Sequence, residues 1–556
     1  MSPEKKLLLL ILLIGAFLRF FNLTWGEGYY FHPDENNIAH SALSLSWPKL
    51  DPQFYAYGQF SPYLAYFSAQ FYNLFSFVHH QKNLHFSEAV FFLRFWSALS
   101  STATIYLIYL IGKKFFHPRF PFSFIPPLLI AFTPGLIQAA HFGTTESLLI
   151  FFFTAIIYFS LRFLKTNQKK NLFIVSVLSG LAVGTKISGA IFLTPPILAI
   201  IIRSIVSRGK NKLIIYQIAI IVITTTLLAV LSSPYLILNY SESSRILKYE
   251  IDVARGKVPI FYTRQFTDTI PYAFQIKKIF PYVLGWPLFI LGAIGFLLTI
   301  ISFIKNLLTK NKLDISYWIL DISFLVYFLY HGQLFVKWTR FMTPILPFFA
   351  LFVTYALEKI YHHLIKKVSS PTILYTLYFI LLLLFLFPGI LFFTSVYAKP
   401  DIRLSASQWT HQNIPENSII LSEAGNVVDF PIPDIHQEKY LKVTNLDFYN
   451  LEKDPKLQKQ LISALEQTDY IIIPSRRIFA NLHPSCQYPL TAKYYQSLFS
   501  NQLGFTLIKQ FNPYPWEITD EKAEETWSVF DHPAIRIYQK NTPYSLEKYR
   551  EILEIR

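Results

Sequence analysis

Residues 26–39, GEGYYFHPDENNIA, place an imidazole and two adjacent carboxylates, His32, Asp34 and Glu35, just after the first apolar run long enough to cross a membrane. Carboxylates that close to hydrocarbon are costly unless they face water, a cation or a substrate, so they are read as a candidate site rather than a solvated loop. A carboxylate beside a hydroxyl-bearing substrate can serve as a general base. Adjacent carboxylates share a titration, so the proton cannot be assigned to one of them from sequence. Three cations accompany them: Lys186 in GTKISG, and Lys337 and Arg340 in HGQLFVKWTRFMTPILP. A phosphate would suit all three, with lysine as a point charge and arginine as a fork; snorkelling to lipid headgroups is the plainer alternative. His141 and Glu146 stand in HFGTTE, where Thr144 or Thr145 can cap a helix and Glu146 suits its first turn while also facing a substrate. Arg94 opens another apolar run and can bind a phosphate, pair with an acid or snorkel. His79, His80 and His85 are too loosely spaced to argue for a metal.

The elements that must position these groups follow from composition. Hydrophobic residues are 53% of the 556, aromatics 18% and charged residues 15%, far too apolar for an ordinary soluble protein, so the fold class is a polytopic α-helical membrane protein. The net charge of +16 lies in short Lys/Arg clusters between apolar runs, as the positive-inside rule expects, and implies no nucleic acid. Cys486 is the single cysteine, which precludes an intrachain disulfide and leaves the redox compartment open. The run 7–23 follows Lys5 and Lys6, lacks a small-residue cleavage site and precedes further spans, so it is expected to stay as an anchor.

Apolar runs of spanning length lie near 7–23, 89–112, 122–140, 143–163, 212–236, 283–305, 315–331, 341–361 and 371–397, with shorter runs at 171–183 and 187–203 around Gly184-Thr185-Lys186. Basic clusters fall at Lys5/Lys6, Lys113/Lys114/Arg119, Arg162/Lys165/Lys169/Lys170, Arg203/Arg208/Lys210/Lys212, Lys305/Lys310/Lys312 and Lys359/Lys366/Lys367. Placing all six in the cytoplasm requires an even number of crossings between neighbours. That parity predicts eleven spans, within a range of 11–13, with the two short runs as a helical hairpin. The run 61–78 breaks the parity and is expected at the membrane surface or re-entrant, with its Tyr and Phe at headgroup depth.

This threading puts residues 24–88, 237–282, the tips 141–146 and 184–186, the turn 331–340 and everything after Lys399 on the external side of the plasma membrane. The acids and the misplaced cations therefore share one face. Residues 1–397 form the transmembrane domain. From 398 to 556 spanning runs stop, and strand-like runs at 418–422, 470–474 and 534–538 alternate with helix-compatible stretches such as 456–468, the pattern of a soluble extracytoplasmic α/β domain.

Taken in order, HPDE, LRFWSALSSTATIYLIYLIGKKF, HFGTTESLLIFF, GLAVGTKISG and RFMTPILPFFAL resemble the GT-C class of membrane glycosyltransferases, in particular the protein O-mannosyltransferase and lipid A aminoarabinose transferase superfamily, over about residues 1–360. The resemblance implies a fold of GT-C type, a sugar donor carried on polyprenyl phosphate, and a catalytic base that falls on Asp34 with Glu35 beside it. The donor phosphate would fall to Lys337, Arg340, Lys186 and Arg94, with His32, His141 and Glu146 as substrate-binding candidates. The chain lacks the inserted lumenal domain of the eukaryotic mannosyltransferases and ends in an external α/β domain, as many bacterial members do, which leaves the acceptor open between protein, lipid and glycan. It has no second acidic motif of the DxD kind, so no metal ion is required, although the residues leave room for a divalent one.

The residues can perform that chemistry. A carboxylate at Asp34 would deprotonate an acceptor hydroxyl, which attacks the anomeric carbon opposite the phosphate and inverts it, while cations stabilise the departing phosphate. An external site has no nucleotide supply, a physical reason for a lipid-carried donor. The rival class is a lipid or solute transporter, which places such residues near the bilayer midplane in broken helices and repeated halves; here they gather at one face and the halves do not repeat. A scaffold with an external binding domain accounts for the tail but not for the charges at the membrane edge. The threading is tested by Cys486, the only thiol: an impermeant maleimide is expected to label it in intact cells, and labelling only after the inner face is opened would reverse the orientation.

Overall fold

The computed structural model describes residues 2–75, 84–116, 121–207, 211–309, 316–367, 370–424, 431, 442–482 and 488–555. Cys486, His79, His80, Arg119, Arg208, Lys210, Lys310, Lys312 and the end of the 61–78 run lie outside the described residues. The helices begin with α1 Pro3–Phe20, α2 Pro33–Leu43, α3 Phe60–Phe75 and α4 Phe86–Phe115. They continue as α5 Ile125–Ala131, α6 Pro134–His141, α7 Glu146–Thr166, α8 Lys169–Thr185, α9 Thr194–Ser207 and α10 Asn211–Ser232. After the second long loop come the helices Trp286–Thr309, Ser316–Gly332, Leu346–Leu364 and Pro371–Val396.

Among the described residues, seven helices are long and apolar enough to cross a membrane, or eight if the bent pair over α5 and α6 is one crossing. The expected eleven is not reached by that measure, for physical reasons. Helix α8 and Ser316–Gly332 have 17 residues each, about 25 Å at the α-helical rise, short of the roughly 30 Å hydrocarbon core. Helix α1 has 18 residues but carries Glu4 and Arg19 with its two lysines. The described part of the 61–78 run is α3, 16 residues packed against α4, with Phe67, Phe71 and Tyr72 exposed.

The bend between α5 and α6 is 51° and has a local cause. Pro134 opens α6; its ring cannot donate to Ile130 and would clash with that carbonyl in a continuous helix. The freed acceptors are taken by Arg19 at the end of α1, which donates to Ile130 O at 2.9 Å and Ala131 O at 3.0 Å. The same guanidinium reaches Ser101 Oγ on α4 at 2.7 Å and is fully buried. One arginine thus ties together α1, α4 and the broken helix.

The C-terminal part holds a five-stranded sheet in the order β2-β1-β3-β5-β4, where β1 is Ile419–Ala424, β2 Lys442–Asp447, β3 Tyr470–Ile473, β4 Phe505–Phe511 and β5 Ile535–Lys540. β1 runs parallel to β2 and β3, whereas β5 is antiparallel to β3 and β4. Helices Ile402–Asn413, Pro455–Gln467, Pro489–Phe499 and Leu546–Leu553 accompany the sheet.

This domain is docked on the helices by residues 520–532, DEKAEETWSVFDH. Ala523, Trp527, Val529 and Phe530 belong to the same apolar core as the membrane helices. Gln138 on α6 donates to Trp527 O at 2.7 Å and to Asp531 at 3.0 Å, and Tyr397 donates to Asp531 at 2.7 Å. His532 lies between Asp531 at 2.5 Å and Asp520 at 2.8 Å. Burial opposes its charge, but Asp531 and Asp520 outweigh burial and raise the imidazole to about 10, so it is an imidazolium at neutral pH. A folded pKa above the unfolded value of about 6.5 gives stability fully present below about 6.5 and lost as pH rises towards 10. Thermal unfolding of the full chain in detergent is expected to show that decline, and His532→Gln is expected to be less stable at pH 6 and to flatten it.

Candidate active site

Helix α2 starts at the HPDE motif. His32 is the N-cap, its Nδ1 accepting from Glu35 N at 3.4 Å, Pro33 supplies a preset φ, and the acids of the first turn suit the positive end of the dipole. Neighbouring helical residues point about 100° apart, so Asp34 and Glu35 cannot serve the same space. Glu35 turns inward and is fully buried. It accepts Arg94 Nε at 2.9 Å and Nη2 at 2.6 Å, and Gly143 N at 2.6 Å. Arg94 also donates Nη1 to Leu23 O at 2.8 Å and Trp25 O at 3.0 Å, and lies over the Trp25 ring at 4.5 Å. Gly143 is required at this approach: a Cβ there would meet Leu93 Cβ at 2.7 Å and Glu35 Oε2 at 3.0 Å.

Asp34 faces a cavity of about 300 Å³, where it forms an ion pair with Arg340. Arg340 also donates to the Tyr57 hydroxyl at 3.3 Å and lies over the Trp338 ring at 4.4 Å. Burial lowers Arg340 to about 10, which leaves it cationic at neutral pH. Glu146 lines the same cavity, accepts from Thr145 Oγ1 at 3.2 Å and faces Lys186 at 3.6 Å. The Lys186 ammonium lies 5.0 Å over Tyr57 and 5.3 Å over Phe341, behind the wall. His32 lines the cavity between the rings of Phe142 and Phe530. Burial, reinforced by Arg340, Arg94 and Arg477, holds it well below 6.5, so it is neutral.

Of the residues singled out by sequence, His32, Asp34, Glu146 and Arg340 line one cavity. Four others do not line it. Glu35 is saturated by Arg94 and Gly143 and has no open side from which to act as a base. Arg94 spends four of its N–H groups on Glu35 and backbone carbonyls, which makes it an internal ion-pair partner. Lys337 donates to Phe335 O at 2.9 Å, is buried and does not line the cavity; burial pushes it down to about 8. His141 has both ring nitrogens on backbone carbonyls, Ile137 O at 2.8 Å and Phe21 O at 2.9 Å, and stacks on Tyr397 at 3.6 Å. Among the described residues no group of three or more His, Cys, Asp or Glu could hold a metal ion.

The rest of the wall was not foreseen. Tyr57 comes from the first loop, Glu250 and Tyr262 from the second, and Arg477, Thr526 and Phe530 from the C-terminal sheet region. Glu250, on the helix Tyr240–Ala254, is raised by burial, with Lys186 opposing. The aromatic ETWSVFDH stretch was the one legible sign, because three large apolar residues in an acidic segment do not suit a free surface.

A family model described as dolichyl-phosphate-mannose-protein mannosyltransferase matches residues 61–234. In structure, the chain is similar to the oligosaccharyltransferase of Archaeoglobus fulgidus in the apo form, with TM-score 0.52 and 12% identity over 97% of this chain and 88% of that one. The chain therefore shares the fold of that oligosaccharyltransferase. ArnT from Cupriavidus metallidurans bound to undecaprenyl phosphate aligns with TM-score 0.43 and 12% identity over 95% of this chain and 96% of that one. No curated protein matches the sequence.

The two acid–base pairs separate into a structural and a cavity-facing one. Removing one member of a buried pair typically costs about 3–5 kcal/mol, so Arg94→Met is expected to lower the thermal midpoint of the purified chain strongly. Arg340→Met, whose pair is open to the cavity, is expected to lower it much less. Equal losses in the two variants would mean that both pairs are structural.

Proposed function

We propose that the chain is an inverting glycosyltransferase that moves a sugar from a polyprenyl-phosphate donor to an acceptor hydroxyl at the external face of the membrane, with Asp34 as the base and Arg340 at the leaving phosphate. The observation that carries this reading is the Asp34–Arg340 pair on the cavity wall of a GT-C fold. The matched family's name specifies a sugar on dolichyl phosphate, which supports a lipid-phosphate donor here. The acceptor O–H gives its proton to Asp34, the oxygen lone pair forms the bond to the anomeric carbon, and the bond to phosphate breaks with its electrons left on the phosphate oxygen. Arg340 stabilises that charge. A phosphate competes with Asp34 for the same guanidinium, so donor binding frees the carboxylate that must act as base. The scheme routes no step through a metal.

An apolar groove supports a prenyl donor. Phe60, Tyr63, Phe67, Phe71 and Trp96 line it with Leu181 and Leu228, between α3, α4, α8 and α10. It starts three residues along the chain from Tyr57 on the cavity wall. In this reading the cytoplasmic N-terminus, eleven crossings and an external C-terminal domain place cavity and groove where a lipid donor can enter laterally, and the acceptor is a protein, lipid or glycan hydroxyl.

Asp34→Asn keeps the shape and removes the basicity. General-base assistance contributes about 10²–10⁴-fold, so loss of transfer on that scale is expected with donor binding retained, measured as release of polyprenyl phosphate from a panel of polyprenyl-phosphate sugars. Transfer at a near-normal rate in folded, donor-binding Asp34→Asn would end this mechanism.

A further inference from the structure

We infer that the soluble domain supplies Arg477 as a second cation for the donor phosphate, so that the leaving group is held between an arginine of the membrane domain and one of the extracytoplasmic domain. This rests on the reading that the cavity takes the donor. Arg477 follows β3 at the carboxyl end of the parallel strands, beside β1, from which the strand order runs both ways. In open α/β sheets ligands settle at such switch points. Its guanidinium is buried and fixed on two sides, with Nη1 donating to Glu525 at 2.7 Å and Nε donating to Tyr449 at 2.9 Å. It lies over the rings of Phe530 at 5.4 Å and Tyr262 at 5.7 Å. The same side chain lines the cavity.

Two features mark this as more than an interface salt bridge. First, Arg477 and Arg340 line one cavity, and Arg477 acts against the charge of both Arg340 and His32, a repulsion that an anion between the guanidinia would reverse. Second, Glu525 is an incomplete partner: its Oε2 is buried without a hydrogen bond, and burial raises the acid to about 7. Arg340 likewise has a buried Nε with no acceptor. An unmatched guanidinium donor on a residue of the cavity wall, with a second arginine held by an incomplete carboxylate partner, is the arrangement expected where an anion completes the set.

The test titrates the purified full chain with undecaprenyl phosphate, and with undecaprenol as the uncharged control. Arg477→Gln is expected to weaken the phosphate about tenfold to a hundredfold, the span of one or two charge-assisted bonds, and to leave undecaprenol unchanged; Arg477→Lys should fall between, retaining charge without the fork. Glu525→Gln, which removes the competing carboxylate, is expected to bind the phosphate as well as the unmodified chain or more tightly. A merely structural pair predicts instead that Arg477→Gln and Glu525→Gln lose thermal stability and phosphate affinity together, which would overturn the inference. Weakening by Arg340→Gln with no effect of either Arg477 variant would also overturn it while leaving the proposed function standing. Silence of Arg340→Gln as well would remove the cavity from the donor site altogether.

Discussion

The ion pair between Glu35 and Arg94 is the interaction on which the geometry of the cavity depends. A buried carboxylate and guanidinium lose several kcal/mol of hydration each, and only close contact with further hydrogen bonds offsets that loss. Here the contact is bidentate, and the remaining donors of Arg94 reach the backbone of residues 23 and 25. A single guanidinium therefore joins the exit of α1, the start of α2, the body of α4 and, through Glu35 and Gly143, the turn before α7. That pins the rotation of α2 about its axis. With Glu35 fixed inward, Asp34 has one direction left, and it is the cavity.

The second pair is built differently. Asp34 and Arg340 retain side-chain exposures of 22% and 26%, and Arg340 carries an unmatched Nε. Its ring neighbours, Trp338 and Phe341, stabilise a cation without offering a competing anion. A fully satisfied pair resists exchange, whereas a partly satisfied one at a water-accessible wall can trade its carboxylate for a phosphate. The contrast between two adjacent acids in one motif separates an interior acid from a cavity-facing one.

Much of this was legible in the sequence, and the gaps have identifiable causes. The motif residues near the membrane edge declared themselves because charge next to hydrocarbon is expensive, which is why His32, Asp34, Glu146 and Arg340 were singled out. The same signal could not tell cavity from interior, so Glu35, Arg94, Lys337 and His141 were included although each is satisfied by groups elsewhere in the sequence or by its own backbone. Arg19 was passed over inside an apolar run; its reason lies in the Ile130 and Ala131 carbonyls freed by Pro134, over a hundred residues away. In the C-terminal sheet region the runs at 418–422, 470–474 and 534–538 coincide with the inner strands β1, β3 and β5, while β2 and β4 were missed. Both are edge strands, and β4 is mostly exposed, so neither needs the apolar run that betrays a central strand.

The C-terminal sheet region also bears on the cavity from behind the arginine that faces Asp34. Glu524 accepts from Thr339 N at 3.0 Å and Thr339 Oγ1 at 2.9 Å, one residue before Arg340, and favours the charged form of that arginine. The backbone that aims Arg340 is thus held by a carboxylate from residues 520–532, the segment whose Trp527 and Phe530 enter the core of the membrane domain. Docking and aim are one structural event. An apolar segment that only anchored the domain could have been placed against other parts of the helices; its position behind residues 339–340 couples the docking contact to the charge balance of the cavity.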